Sequence, residues 1–587
     1  MTFRDLNGNG RLDPYEDPTR PLEERVGDLL GQMTLEEKAG LMFHPPLVIP
    51  EDGTLLEGAS PFGAHGTTEL VRDLHLRHFN IYDAPEPHVH AEWANRLQQL
   101  AESTRLGIPV TISSDPRHTV GAVGASAAAN GLSQWPEPIG LAATADEELV
   151  REFGDIARQE YRAVGIHVAL HPMADLATEP RWARIVHSFG EDAELVTRLV
   201  VAYIRGFQGD ELGPGSVICM VKHFPGAGPQ RDGEDAHFEY GKDQVYPGGR
   251  FEHHLAPFEA AFAAGAVQVM PYYGRPLGLP IEEVGFGFNH DVVTGILRER
   301  LGFDGVICSD WALVSDLNLP DGSVWPAKAW GVEELDAEAR LAKIVDAGCD
   351  QLGGEMLPEL LVDLVRSGRI AESRIDESAR RLLRDKFRLG LFDDPYVDPD
   401  AAARICGSPP FTAAGDRAQR RSAVLLANDG LLPLSGSPKL YLEGISADGD
   451  VVERLEDADV AIIRVHSPYE PRNGNFIEAL FHAGDLDFKE PELSRLLDVA
   501  HRVPTVLVVH LERPTVMPEL VEACAATLAV FGASDEAVLD LLFARARPEG
   551  RLPFELPSSM DAVRAQRSDV PFDSEKPLFP FGFGLSY

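Results

Sequence analysis

Only five of the 587 residues are cysteines, and no two of them form a CxxC pair. Cys219, Cys308, Cys349, Cys406 and Cys524 are scattered and odd in number, which argues against a disulfide framework and a thiolate metal cage. Three of them, Cys219, Cys308 and Cys349, sit in apolar segments and read as small buried hydrophobes. Long hydrophobic runs are also missing: the longest, such as 505–511, are strand-sized and fall far short of a bilayer span. Basic residues are scarce beside acidic ones, 53 Lys and Arg against 93 Asp and Glu, leaving a formal net charge of −40. That charge repels phosphates, so neither nucleic acid nor an anionic membrane is expected as a partner, and a neutral ligand is favoured. No apolar leader is present near the start of the chain, so the expected location is the cytoplasm. The phosphate loop GxxxxGK[ST], a helix-opening GxGxxG, the GxSxG elbow and HExxH are all absent. Nucleotide, serine-hydrolase and zincin chemistry therefore lack their usual carriers, and no organic cofactor is implied.

What is present is a soluble composition, 44% hydrophobic and 25% charged, on a chain too long for one core. Short apolar runs at 108–113, 166–171, 216–221, 267–270, 306–308 and 349–352 alternate with helical patterns such as 146–164, 257–264, 291–301 and 337–347. This alternation predicts a parallel sheet with crossover helices, and at this length an N-terminal (β/α)8 TIM-type barrel over 21–391. An Asp-, Pro- and Gly-rich stretch at 392–415 reads as a linker. Apolar runs at 423–427, 460–465, 506–510 and 527–531 then predict a smaller α/β sandwich domain over 416–587. The residues just past the barrel runs are Asp115, Asp175, Lys222 with His223, Tyr272 with Tyr273, and Asp310 with Trp311. Strand C-termini of a barrel open on one face, so these groups converge in one pocket. Polar residues end many strands, but that alone explains poorly two aromatics, a Lys-His pair and carboxylates together.

Asp310 stands beside an indole directly after a buried strand. It suits either a salt bridge to a cation such as Lys222 or attack on a sugar stacked on Trp311. The N-terminal segment 1–20 opens with DLNGNGRLDPYE at 5–16, which fits the calcium-loop pattern through Asp5, Asn7, Asn9, the Arg11 carbonyl, Asp13 and Glu16. Pro14 lies inside that loop and no helix can precede it, so a structural calcium ion and a plain Asx-rich turn are both open readings. Glu252, His253 and His254 look metal-like but lack further ligands at usable spacing, and a surface position is expected.

The chain is similar to glycoside hydrolase family 3 nearly end to end. The resemblance is carried by QMTLEEK at 32–38, TRLGIP at 104–109 with Asp115, IGLAAT at 139–144, PRW at 180–182 and FGED at 189–192. It continues through KHFPG at 222–226, LGFDG at 301–305, SDW at 309–311, SAVLL at 422–426, GRLP at 550–553 and PLFPFGFGLSY at 577–587. The resemblance implies Asp310 as catalytic nucleophile, with Asp115, Arg181, Lys222, His223 and Tyr273 binding the terminal sugar and Trp311 lining the site. It implies a proton donor less clearly. Where exo-glucanase members carry a Glu, RVHSPYE at 464–470 has His466, and Glu470 is the nearest carboxylate. Hexosaminidase members use an Asp-x-His dyad after KHFPG, and this chain offers Asp235 and His237 in that loop, two residues further along than usual. Glu470 is preferred narrowly. Further departures are Ala183 where Gly is usual and His187 where Glu is common.

The activity implied is retaining hydrolysis of terminal non-reducing β-glycosides, glucosides first, supplied as small or oligosaccharide substrates through a covalent Asp310 intermediate. Xylose, N-acetylglucosamine and arabinose are the other sugars implied. A phosphorylase or an N-acetylhexosaminidase with a His donor is the enzymatic alternative, and a sugar-binding pseudo-enzyme is the other. A homo-oligomer is compatible with the sequence.

Overall fold

The computed structural model describes residues 4–61, 63–120, 130–319, 322–472, 474–475 and 477–587; the first three residues of the N-terminal segment lie outside these. The first part of the chain winds a curled parallel sheet. Its strands run in the order Val306–Ile307, Gln268–Pro271, Ile218–Phe224, Val168–Ala169, Thr111–Ser114, His78–Ile81 and Pro46–Leu47. A second parallel pair joins Phe43–His44 to Leu352–Gly353. It meets both ends of the sheet: Cys308 bridges Gln351, and the Asn80 N–H bonds the Pro45 carbonyl at 3.0 Å. All seven residues of Ile218–Phe224 are buried, as expected of a parallel strand covered on both faces.

The helices between these strands follow from local signals. Thr34 and Glu37 form a reciprocal capping box on Leu35–Leu41. Asp146 caps Glu147–Ala163 through the Glu148 and Leu149 N–H groups, and Asp192 caps Ala193–Gln208 through that of Leu195. These last two helices cross where Gly154 faces Gly206. A Cβ on either glycine would come within 3 Å of the other helix's backbone, so only glycine allows this approach.

Three expectations need correction. The first three strands, Phe43–His44, Pro46–Leu47 and His78–Ile81, carry no clear signal in the sequence, because Pro45 and Pro46 interrupt the first two and histidine and asparagine dilute the third. The stretch expected as a linker carries helices Pro399–Ile405 and Pro409–Ser422. Its Asp-Pro and Ser-Pro pairs are helix starts: Asp398 caps Pro399–Ile405, which packs on Pro87–Glu102. His254 is buried, with Nε2 at 3.2 Å from the Asp569 carbonyl, because the C-terminal segment folds back over its helix.

The second domain is a five-stranded sheet in the order Val424–Asn428, Ala526–Val530, Thr505–His510, Val460–His466 and Leu440–Glu443, parallel except for its first strand. Its C-terminal segment is fastened to the first domain. Glu191 accepts the Glu555 and Phe572 N–H groups at 2.7 and 2.8 Å, and Asp569 accepts those of Gly248 and Arg250, both at 2.7 Å. Burial still pushes the Glu191 carboxyl up to about 8. All five cysteines are buried and free. Among the described residues no helix is long and apolar enough to cross a membrane.

Candidate active site

Asp310 follows the strand Val306–Ile307 and is buried, 6% exposed. Its Oδ1 accepts the Trp311 N–H at 2.8 Å, whereas Oδ2 is buried without a hydrogen bond. Tyr273 fixes the same turn: its hydroxyl donates to the Trp311 carbonyl at 2.9 Å and lies 3.0 Å from the Trp311 nitrogen. Burial pushes the Asp310 carboxyl above its ordinary range, and the charges of His237 and Lys222 with the Tyr273 and Trp311 donors offset only part of this. The Trp311 indole lies against Gly353 and Gly354, where a Cβ would come within 2.6 and 2.8 Å of the ring. Gly354 also has φ +71°, so this bed for the indole requires glycine twice over.

Lys222 and Asp115, from strands on either side of Val168–Ala169, form a buried ion pair at 3.0 Å. His223 is held between Asp175 (Nδ1 to Oδ2, 2.9 Å) and Arg184 (Nε2 to Nη1, 2.9 Å). A guanidinium only donates, so His223 accepts at Nε2 and carries its proton on Nδ1, which donates to Asp175. Asp175 also accepts the His223 and Ala227 N–H groups, yet burial raises its carboxyl to about 7. A small cavity beneath the ion pair is lined by Asp115, Arg184, His187, Phe189 and Lys222.

The expected sugar-binding Arg181 takes a different place. Its guanidinium is bound by Glu179 at 2.8 and 3.1 Å, with Asp232 at 3.4 Å. Arg184, not singled out from the sequence, is the arginine that faces this cluster. It is fully buried, its Nε has no partner, and Asp235, Asp310 and Asp175 all hold it charged against the cost of burial. One turn separates the two arginines, and spacing alone does not say which points inward.

Asp235 and His237 form a dyad at 2.5 Å between Oδ1 and Nδ1. The other Asp235 oxygen accepts Trp182 Nε1 at 3.1 Å and the Tyr272 hydroxyl at 3.3 Å. Burial would raise the Asp235 carboxyl, but His237 and Arg184 outweigh it and hold it below the usual value. The His237 ring sits edge-on to Tyr273 at 4.6 Å, 4.7 Å from Phe481 of the second domain, and nearly parallel to Trp325 at 6.1 Å. With Nδ1 on Asp235, Nε2 is the nitrogen left to exchange a proton.

The second domain forms a wall beside this dyad. Buried Arg513 donates to the Arg181 and Gly484 carbonyls at 3.0 and 2.9 Å and to that of Pro468 at 2.5 Å. Arg472 pairs with Glu234, and the Tyr240 hydroxyl donates to Glu478 at 2.7 Å. Glu470 lies on this wall but is exposed, with its N–H on the Ala483 carbonyl. Among the described residues no hydrogen bond or ion pair joins its side chain to the Asp310 cluster. His466 bonds Glu512 at 3.2 Å.

The N-terminal loop turns its oxygens on itself. Glu16 accepts the Leu6, Asn7 and Asp13 N–H groups, and Asp5 accepts those of Asn9 and Gly10. Asn9 Oδ1 accepts the Arg11 N–H, and the Asn7 and Asn9 amides donate to Asp13 at 2.6 and 2.7 Å. This is how an Asx-rich turn holds itself, and the same oxygens are those a calcium ion would use.

Residues 67–384 match the Glycosyl hydrolase family 3 N terminal domain, and residues 448–587 match the Glycosyl hydrolase family 3 C-terminal domain. The chain is 50% identical to a probable β-glucosidase C of Aspergillus flavus over 98% of its length and 92% of the relative's. It is 44% identical to a periplasmic β-glucosidase/β-xylosidase of Dickeya chrysanthemi, covering 100% of this chain and 93% of that one. In fold it is similar to a β-glucosidase from Erythrobacter marinus, with TM-score 0.79 at 23% identity over 98% of this chain and 84% of the other. The expected cytoplasmic location is overturned by the Dickeya relative, which is named periplasmic. A leader is removed from a mature chain, so its absence from a sequence is no guide to the compartment.

Proposed function

The chain belongs to glycosyl hydrolase family 3 and is a glycoside hydrolase, and from that premise we propose that it is a retaining exo-β-glucosidase with Asp310 as its nucleophile. The observation that carries this reading is the division of labour within one carboxylate. Oδ1 is anchored on the Trp311 N–H, and Oδ2 is left without a partner among buried cations and aromatics. The β-glucoside preference comes from the Aspergillus flavus relative; the Dickeya relative makes β-xylosides the second substrate to try. The strands carrying the site are taken as a closed (β/α)8 barrel. Support for closure comes from the Cys308–Gln351 bridge and the Asn80–Pro45 hydrogen bond at either edge.

In this mechanism Asp310 Oδ2 attacks the anomeric carbon while the glycosidic oxygen leaves with a proton. Lys222 and Asp115 hold sugar hydroxyls, Trp311 stacks on the sugar face, and His223 orients Arg184 toward the same hydroxyls. The proton comes from His237 Nε2, on a ring that the Asp235 contact at Nδ1 orients. His237 is preferred over Glu470 because its charge acts directly on Asp310 and its ring packs on Tyr273. The same imidazole then takes a proton from water to release the sugar.

A 2-deoxy-2-fluoro-β-glucoside should inactivate the enzyme and label Asp310, and the first product seen by proton NMR should be the β-anomer. A label on another residue, or an α-anomer formed first, sinks the proposal. Because an imidazole does not repel phosphate as a carboxylate does, phosphorolysis is a second reading. It predicts glucose 1-phosphate in phosphate buffer, whereas the hydrolase releases glucose at the same rate with or without phosphate.

A further inference from the structure

A second cluster of histidines and a carboxylate lies at the C-terminal ends of two strands of the second domain. His466 ends the strand Val460–His466 and His510 ends Thr505–His510. The two are partners in the parallel register, so their side chains leave the sheet on the same side. Their rings lie 5.0 Å apart. Glu512, two residues beyond His510, is 2% exposed, and its Oε1 lies 3.2 Å from His466 Nδ1. One ligating atom from each of His466, His510 and Glu512 lies within 4.8 Å of the others.

Two features set this cluster apart from an ordinary polar patch. His510 is 4% exposed, and its Nε2 is buried with no hydrogen-bond partner, a costly state for an imidazole nitrogen. Glu512 is a buried carboxylate whose two oxygens meet imidazoles, His466 on Oε1 and His482 on Oε2 at 2.5 Å, and among the described residues no lysine or arginine pairs with it. A buried negative charge normally has a cation beside it.

We propose that His466, His510 and Glu512 bind a divalent transition metal of the zinc class, with His482 holding the second oxygen of Glu512. Two imidazoles and a carboxylate are a common zinc donor set. With bonds of about 2.0–2.1 Å, the edges of a zinc tetrahedron are about 3.3 Å, close to the observed separation of His466 Nδ1 and Glu512 Oε1. The metal takes the place of the proton now shared between those atoms, and one ring nitrogen of His510 is the third ligand. A hydrogen bond to the free oxygen of a ligating carboxylate, as His482 supplies, orients such ligands in general. The three ligands leave a fourth position for water or a ligand atom. His466 directly precedes the wall segment Ser467–Glu470, so the ion would brace that wall where it leaves the sheet. The inference is independent of the proton donor and of the sugar.

The test uses the full chain, stripped with a chelator, dialysed and titrated with Zn2+ by calorimetry, with Co2+ as a spectroscopic probe. One zinc per chain and the visible absorption of four-coordinate Co2+ are expected. His510→Gln and Glu512→Gln should each weaken zinc binding by about 100-fold, since each removes a direct ligand. His466 is exposed, so His466→Gln should fold even if the buried variants do not, and it should also weaken binding by about 10-fold or more. Absence of zinc binding by the wild-type chain, or zinc affinity unchanged in His466→Gln, overturns the proposal.

Discussion

The two walls of the active site are built on different terms. On the barrel side the reactive groups are buried and tied down: Lys222 to Asp115, His223 to Asp175 and Arg184, and Asp310 Oδ1 to the N–H of Trp311 in its own turn. On the second-domain side the described residues of 467–485 are held by Arg513 on the Gly484 and Pro468 carbonyls and by the Arg472–Glu234 and Tyr240–Glu478 contacts, while Tyr469 and Glu470 face solvent. Catalytic geometry has to be held within about half an ångström, and burial with cross-bracing suits the first-domain side to that. Under the proposed mechanism the chemistry belongs to the first domain, and the second domain shapes the entrance.

The largest test of that division is Asp310→Ala. It removes the covalent route, so kcat on an aryl β-glucoside should fall by about 10⁴-fold or more. Sodium azide should restore part of the rate and yield an α-glucosyl azide, detected by NMR. A loss under tenfold breaks the comparison outright. Next is His237→Ala, expected to lower kcat by about 10²–10⁴-fold on poorly activated aglycones and far less on dinitrophenyl glucoside, whose leaving oxygen needs no proton. Steady-state rates across a series of aryl leaving groups would display that slope, and a flat series would remove His237 from the acid role.

The two arginines sharpen the barrel side itself. Arg184→Ala should cost about 10–100-fold in kcat/KM, the loss of a charged hydrogen bond to the sugar. Arg181→Ala should stay within about threefold in kcat/KM and lower the melting temperature instead, because it strands the buried Glu179 carboxylate. Michaelis constants and thermal melts of the pair separate binding from scaffolding. The pH profile tests the same wall. The nucleophile must be ionised, and burial raises its pKa, so activity is present above that raised value and lost as pH falls through it. The acid limb of kcat/KM should therefore lie above the ordinary aspartate value of about 3.9. Lys222→Met should move that limb upward, because Lys222 is one of the cations holding Asp310 ionised. A downward shift would contradict this electrostatic account.

Much of the barrel side was legible in the sequence for a geometric reason. A strand end fixes where its next residues point, and the runs before Asp115, Asp175, Lys222, Tyr273 and Asp310 were long enough to read. The strands Phe43–His44, Pro46–Leu47 and His78–Ile81 were not, so Asn80, whose amide reaches toward Asp115 at 3.5 Å, went unnoticed. Arg184 was missed because the chain turns between Trp182 and the 3-10 helix Ile185–His187, and no periodicity survives such a turn. The helices over 399–422 hid behind Asp-Pro and Ser-Pro pairs, which start helices as readily as they break them. Among the described residues of 467–485 the one regular element is the short turn Glu478–Leu480, so the contacts of this wall with Phe238, Tyr240 and His237 depend on the tertiary fold.

The smallest expected effect is the sharpest probe of the second-domain side. Glu470→Gln keeps the shape of the side chain and removes its charge. Glu470 is exposed, its N–H is already used by the Ala483 carbonyl, and its side chain lies against Gly484, where a Cβ would come within 2.5 Å of a carboxylate oxygen. That position packs the wall, and with His237 as the proposed donor kcat should change by no more than about twofold across the leaving-group series. A drop of 100-fold confined to poor leaving groups would mean the opposite. The wall would then have to carry Glu470 inward over the sugar during turnover, and a site braced on one side only would be working as a closing pair of domains.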